Sequence, residues 1–373
     1  MKTVTHALIP ATPGTRQELV SLHFGTPGAG PKVYIQGGLH AEEVPGLLVA
    51  HHLRGLLTAA EAEGRLLGEV VLVPAANPLG LAQWHLRGYQ GRFEFASGEN
   101  FNRHFADLSE AVLQRVQGRL GPDAAANVAT VRAALREAAA ALPASSPLQD
   151  LRRTLLGLAI DAEVVLDLHS DGHGLLHLYT IPATWDQAEL LARCTGARVA
   201  LLAEHSGGEP FDEACSMVWV DLAARLGPDT PLPPSCLAAT IELRGEGDVA
   251  HPLAAADAAA LLRFLVARGV VRDEHAAPLP PLRCLPTPLA GSIPLVAPHG
   301  GMVVFLREPG AEVEEGEPLV EVIDPITGQS SVLGAGTAGL FFAHENRRFA
   351  VAGMSLGKVA GADARRQGSL LSA

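Results

Sequence analysis

KVYIQGGLHAEE, residues 32–43, is the stretch that decides the fold. A short apolar, β-favouring run enters a Gly-Gly turn and then HAEE, which reads as a buried strand delivering a histidine and a glutamate just beyond its carboxyl end. Three more segments share that character: Glu69 to Pro74 (EVVLVP), Glu163 to Leu168 (EVVLDL) and Ala238 to Leu243 (AATIEL). Ala-, Leu- and Arg-rich helical patterns alternate with them, so the first three quarters of the chain predict an α/β unit with a mostly parallel sheet. The long insert between the second and third strands is helical. Its clearest start has Ser146 as N-cap, Pro147 in the first turn, and Leu148, Leu151, Leu155 and Leu158 on one face.

The bulk properties narrow the class. A chain of 373 residues predicts two or three compact units. Hydrophobic residues make up 48% and charged ones 18%, with no apolar run long enough to span a bilayer, so a soluble protein is expected. The amino terminus MKTVTHALIPATPG lacks the apolar stretch of a secretory leader, which makes cytoplasmic the default expectation. A net charge of −12 without a basic cluster argues against nucleic acid as partner. The four cysteines are scattered with no C-x-x-C pair, so neither a disulfide framework nor a thiolate zinc site is expected. The Pro-rich segment Pro278 to Pro288 reads as a linker that sustains neither helical nor ladder hydrogen bonding. It divides a unit over residues 1–277 from a region over 278–373, in which glycine-punctuated short strands predict a small all-β domain.

His40 and Glu43 alone are weak evidence, because composition supplies roughly 1.6 His-x-x-acid pairs by chance and two occur, the other being His104 with Asp107. Position strengthens them. In open α/β sheets ligands bind beyond the carboxyl ends of strands, where His169 (in DLHSDGHG) and Glu242 (in TIELRGEG) also emerge. Two imidazoles and a carboxylate suit one Zn²⁺ per chain with an open fourth position, although the same set could hold Fe(II). Glu242, outside the ligand set, would take a proton from water and pass it to a leaving nitrogen. Asp167, two residues before His169, reads either as the acceptor of that ring's free N–H or as a salt-bridge partner in the sheet. The polar segment Asn77 to Phe105 reads as a binding loop. Within it Arg103 offers a fork for a substrate carboxylate, with Asn102 beside it, and Arg87 is a candidate for the developing oxyanion. Each of Arg87, Arg92 and Arg103 taken alone reads first as a solvated arginine. His173 and His177 raise a second metal, but the residues between them read as a turn entering a strand, so His173 is placed instead among pocket-lining, substrate-binding candidates.

Taken in order, GGLHAEE, NPLG, FNRHF, DLHS and TIEL resemble the succinylglutamate desuccinylase/aspartoacylase family of the zinc carboxypeptidase superfamily, over about residues 30–250. The resemblance implies a central mixed sheet flanked by helices, with His40, Glu43 and His169 as zinc ligands, Asn102 and Arg103 as the carboxylate-binding pair, and Glu242 as the catalytic glutamate. It implies hydrolysis of the amide of a small N-acyl amino acid. A metallocarboxypeptidase acting on short peptides would share these residues, and a non-catalytic member of the fold would have lost at least one. Two departures concern the substrate side. ENFNRHFADL stands where the family commonly continues DLNRxFPG, and Arg244 stands where many relatives have glycine, which would add a positive charge if it entered the pocket. The C-terminal unit resembles the small β domain of many members, and lipoyl or biotinyl carriers in PHGGMVVFLREPGAEVEEGEPLVEV. Carriers need a lysine at a hairpin tip. Only Lys2, Lys32 and Lys358 are lysines, so the domain is expected to shape the pocket or to mediate oligomer contacts, a homodimer or tetramer being the general expectation.

Overall fold

The computed structural model describes residues 1–371; the last two residues of the unit expected over 278–373 lie outside the described residues. Its frame is a nine-stranded mixed sheet. In chain order the strands are β1 Lys2–Ala7, β2 Glu18–Gly25, β3 Lys32–Gly37, β4 Glu69–Val73, β5 Val164–Asp171, β6 His177–Thr180, β7 Val199–Leu202, β8 Leu237–Gly245 and β9 Pro286–Pro288. Across the sheet they run β1, β2, β4, β3, β5, β8, β6, β7, β9. The central four, β4, β3, β5 and β8, are mutually parallel, while β2 and β6 flank them antiparallel. These central strands are apolar on both faces because both faces are covered. Val33, Ile35, Val70, Leu72, Leu166 and Ile241 turn to the helices Pro45–Ala62, Trp185–Thr195 and His251–Ala267. Tyr34, Val71, Val73, Val165 and Ala238 turn to the helical insert and to Phe211–Leu226. The expected cap is present: Ser146 Oγ accepts from Gln149 N at 3.2 Å and opens the helix Pro147–Ala159, with Leu148, Leu151 and Leu155 buried.

The Pro-rich segment departs from the expectation that it forms no ladder. Pro286–Pro288 pairs parallel with β7 and closes one edge of the main sheet, a place where the missing N–H of proline faces outward. After it come two antiparallel sheets around Val303, Leu319, Val322, Phe341, Leu356 and Val359. One contains Ser292–Val296, Ser355–Ala360, Gly339–His344 and Glu312–Val313, and takes in the short strand His173–Gly174 that follows β5. All four cysteines are free, with Cys194, Cys215 and Cys236 buried. Among the described residues no helix is long and apolar enough to cross a membrane.

Close backbone approach sets the exit of β3. A Cβ on Gly37 would lie 2.8 Å from Gly46 O, and one on Gly46 would lie 3.0 Å from Leu168 O, so the strand exit, the helix Pro45–Ala62 and β5 touch without intervening side chains. Gly38 follows at φ 73°, a left-handed turn that throws His40 back over the sheet edge. Gly37→Ala is therefore expected to cost about 1–3 kcal/mol through overpacking, read as a fall of a few degrees in melting temperature. An unshifted melt would show that this contact has slack.

Candidate active site

The carboxyl ends of β3, β5 and β8 bring the distant residues together. His40, Glu43 and His169 are all buried, and one ligand atom from each lies within 4.8 Å of the others. The Glu43 carboxylate stands between the rings, with Oε1 3.0 Å from His40 Nδ1 and Oε2 2.7 Å from His169 Nδ1. The far nitrogens are backed by oxygen: His40 Nε2 lies 2.8 Å from Asn100 Oδ1, and His169 Nε2 lies 3.0 Å from Asp167 Oδ2, without the alignment of a hydrogen bond. Both Nδ1 atoms thus converge on one point while their outer nitrogens are held from behind, the arrangement that orients metal-ligating histidines.

The charges ask for a cation. Burial, then the neighbouring Arg92 charge, pulls His40 down to about 4, leaving a neutral imidazole. Burial opposes a charge on His169, yet the carboxylates of Asp167 and Glu43 hold it well above the ordinary histidine range. Neither oxygen of the fully buried Asp167 carboxylate has a hydrogen-bond partner. A divalent cation at the shared point would take the place of the His169 proton and answer the buried carboxylates, so a donor set of two imidazoles and a carboxylate fits zinc.

Glu242 is the in-register neighbour of His169 on the adjacent parallel strand. Its Oε2 is buried without a partner, and burial, reinforced by the Glu43 charge, pushes its carboxyl up to about 8. A β-bulge follows at once. It sets Arg244 at φ 64° and turns its guanidinium onto the Asp257 carboxylate of the helix His251–Ala267. That corrects the expectation of a positive charge in the pocket from Arg244, which is spent on the helix behind the strand.

The cleft in front of these groups has a volume of ≈ 670 Å³. Asn102 and Arg103 line it; Asn102 Oδ1 accepts from Phe211 N at 2.9 Å and Arg103 NH1 donates to Asn102 O at 2.7 Å. Arg87 does not reach it. The residue sits exposed at the tip of the hairpin formed by Trp84–His85 and Gly88–Tyr89, at φ 68°, where no contact draws it inward. Arg92 stands in the cleft instead, its NH2 2.6 Å from Glu43 Oε1 and its Nε 3.4 Å from Glu42 Oε1. His173 is exposed and does not line the cleft; its ring lies against His344, 4.8 Å between centroids. His177 is buried apart, bonded to Leu175 O.

Sequence reasoning missed two contributors. Asn100, two residues before Asn102, is the acceptor behind His40. Lys358, from the strand Ser355–Ala360, enters the cleft and places Nζ 2.6 Å from Asp171 Oδ2. Its rarity was the available signal, since it is the one lysine beyond Lys32. The cleft floor also carries Asp212 and Glu213, raised to about 6 and about 7, in each case by burial first and then by a neighbouring carboxylate. Between pH 4.5 and 7 the folded protein keeps a proton on Glu213 that the unfolded chain has released, so this group's contribution falls as pH rises through that window. Glu213→Gln, whose amide oxygen can still accept from Ser206 N, is expected to stabilise the protein by about 1 kcal/mol at pH 8 and by nothing below pH 4.5. Equal melting-temperature differences at the two pH values would remove the assignment.

Comparison with known proteins places the fold. The model of the succinylglutamate desuccinylase/aspartoacylase catalytic domain matches residues 29–213. A family protein of that description from Shewanella amazonensis SB2B superposes with a TM-score of 0.82 at 29% identity, covering 96% of this chain and 98% of its own. One from Shewanella frigidimarina NCIMB 400 gives 0.84 at 25% identity, over 96% and 97%. The product-bound ectoine utilization protein EutE (DoeB) from Ruegeria pomeroyi shares the fold, with a TM-score of 0.69 at 16% identity over 96% and 94%. No curated protein matches the sequence.

Proposed function

This chain belongs to the succinylglutamate desuccinylase/aspartoacylase family, and from that premise we propose that it is a zinc-dependent hydrolase cleaving the amide bond of a small N-acyl amino acid. The observation that carries the reading is the convergence of His40 Nδ1, His169 Nδ1 and the Glu43 carboxylate beside an unpaired Glu242 oxygen. His40, Glu43 and His169 would hold the ion. Bound there, zinc acidifies water and polarises a carbonyl.

The chain's own residues account for the remaining work. Arg103 and Asn102 hold the carboxylate of the amino-acid moiety and fix the amide in front of Glu242. Glu242 removes a proton from the attacking water; as the new C–O bond forms and the C–N bond breaks, that proton passes to the leaving nitrogen, giving an acid and an amine. Arg92 and Lys358 supply positive charge around the carboxylate-rich floor and offset the negative charge that develops on the acyl oxygen. The region after residue 278 contributes Lys358 and His344 to the cleft wall, which supports a small substrate over a long peptide and an all-β unit that shapes the pocket. The test is turnover by the zinc-loaded protein on a panel of N-acetyl and N-succinyl amino acids against short peptides. Release of free amine from the acyl amino acids is expected; cleavage confined to the peptides would replace this reading with that of a carboxypeptidase.

A further inference from the structure

A second cluster of metal-ligating side chains stands apart from the first and shares no residue with it. His173, Glu308 and His344 bring one ligand atom each within 4.8 Å of the others. His173 and His344 are directly opposed on the antiparallel strands His173–Gly174 and Gly339–His344, and Glu308 sits in the turn between the strands Gly301–Phe305 and Glu312–Val313. The decisive group is His344. Its Nδ1 lies 2.8 Å from Glu345 O. A backbone carbonyl can only accept, so Nδ1 carries the proton and Nε2 presents a bare lone pair. That Nε2 is buried and has no hydrogen-bond partner; it points toward Glu308, 3.9 Å from Oε2. Stacking on Phe305, 3.8 Å between centroids at 14°, fixes the ring plane.

A buried imidazole nitrogen without a donor is costly unless something occupies it. Water could donate one hydrogen bond there, but water does not account for a second histidine and a carboxylate facing the same point from two other segments. We propose that His173, Glu308 and His344 form a second divalent-metal site of the zinc class, which clips the strand Gly339–His344 to the segment following β5. Two imidazole nitrogens and one carboxylate oxygen suit that ion. Ligand atoms on a tetrahedral zinc stand roughly 3.4 Å apart, given bonds of about 2.0–2.1 Å, so the exposed His173 and Glu308 need only small side-chain rotations to close on it. His344 lies on the wall of the cleft, which gives the ion a path in. Burial also lowers the basicity of His344, keeping it available as a neutral ligand. The clip would tie the C-terminal sheet to the chain just after the ligand His169.

The experiment is metal counting on the full-length protein. Protein stripped with chelator is reloaded with zinc, dialysed, and assayed for bound metal by elemental analysis and for affinity by titration. Wild type is expected to hold a second equivalent. His173→Ala and Glu308→Gln, both changes at exposed positions, should weaken that equivalent at least about tenfold while the other is kept. His40→Ala should do the reverse. A single equivalent in wild type, or a second equivalent that His173→Ala and Glu308→Gln leave at full affinity, would overturn the proposal.

Discussion

Glu242→Gln is expected to lower turnover by about 10³-fold, within the range that positioned general acid–base groups supply, while the protein stays folded and keeps its zinc. The exchange is nearly isosteric and removes only the ability to accept and return a proton. Glu242 already lies buried with an unpartnered Oε2, its carboxyl raised by burial and by Glu43. A neutral amide at that place meets less desolvation penalty than a carboxylate, so the melting temperature should hold or rise. The check is kcat on the best N-acyl amino acid together with bound zinc. Turnover undiminished with metal retained would take Glu242 out of the reaction; zinc lost along with turnover would make it part of the metal's support.

Lys358→Met should reduce kcat/KM by about 10²-fold, because truncating one member of a close charge pair leaves the other desolvated and unopposed. Burial works against the charge on Lys358, and Asp171, 2.6 Å away, more than restores it; Lys358 in turn holds the Asp171 carboxyl below its ordinary range. The lysine side chain keeps 32% of its surface exposed on the cleft side, so the stability loss should be smaller than for a sealed pair, about 1–2 kcal/mol. Zinc content should not change. Steady-state kinetics with bound-metal analysis distinguishes the cases: unaltered kcat and KM would make Lys358 a strut between sheets and no more.

How much could be read beforehand differs residue by residue. The central strands are legible because burial on both faces leaves continuous apolar runs whose ends can be located, and those ends put His40, His169 and Glu242 at one edge. Arg87 and Arg92 were not separable. Which arginine turns inward is decided by the fold of the hairpin, where Gln83 bonds to Gln90 O, Phe93 O and Phe95 N, and Tyr89 and Gly91 anchor on Ala41 and Glu42. No periodicity encodes those contacts. The place of Arg244 is hidden for a similar reason, since the bulge after Glu242 rotates its side chain off the strand face and no local pattern marks that bulge. His173 lies against His344 and not His177, and His344 arrives from the far end of the chain on a strand pairing that local pattern does not specify.

Because Glu242 and His169 occupy the same rung of two parallel strands, proton transfer and cation binding depend on a single alignment. Displacing β8 by one position would turn Glu242 to the face packed on the helices Pro45–Ala62 and His251–Ala267 and bring Ile241 or Leu243 to the cleft side. Mispaired molecules would therefore be wholly inert rather than sluggish, and a population containing a few of them would lose specific activity in proportion to their number with no change in KM.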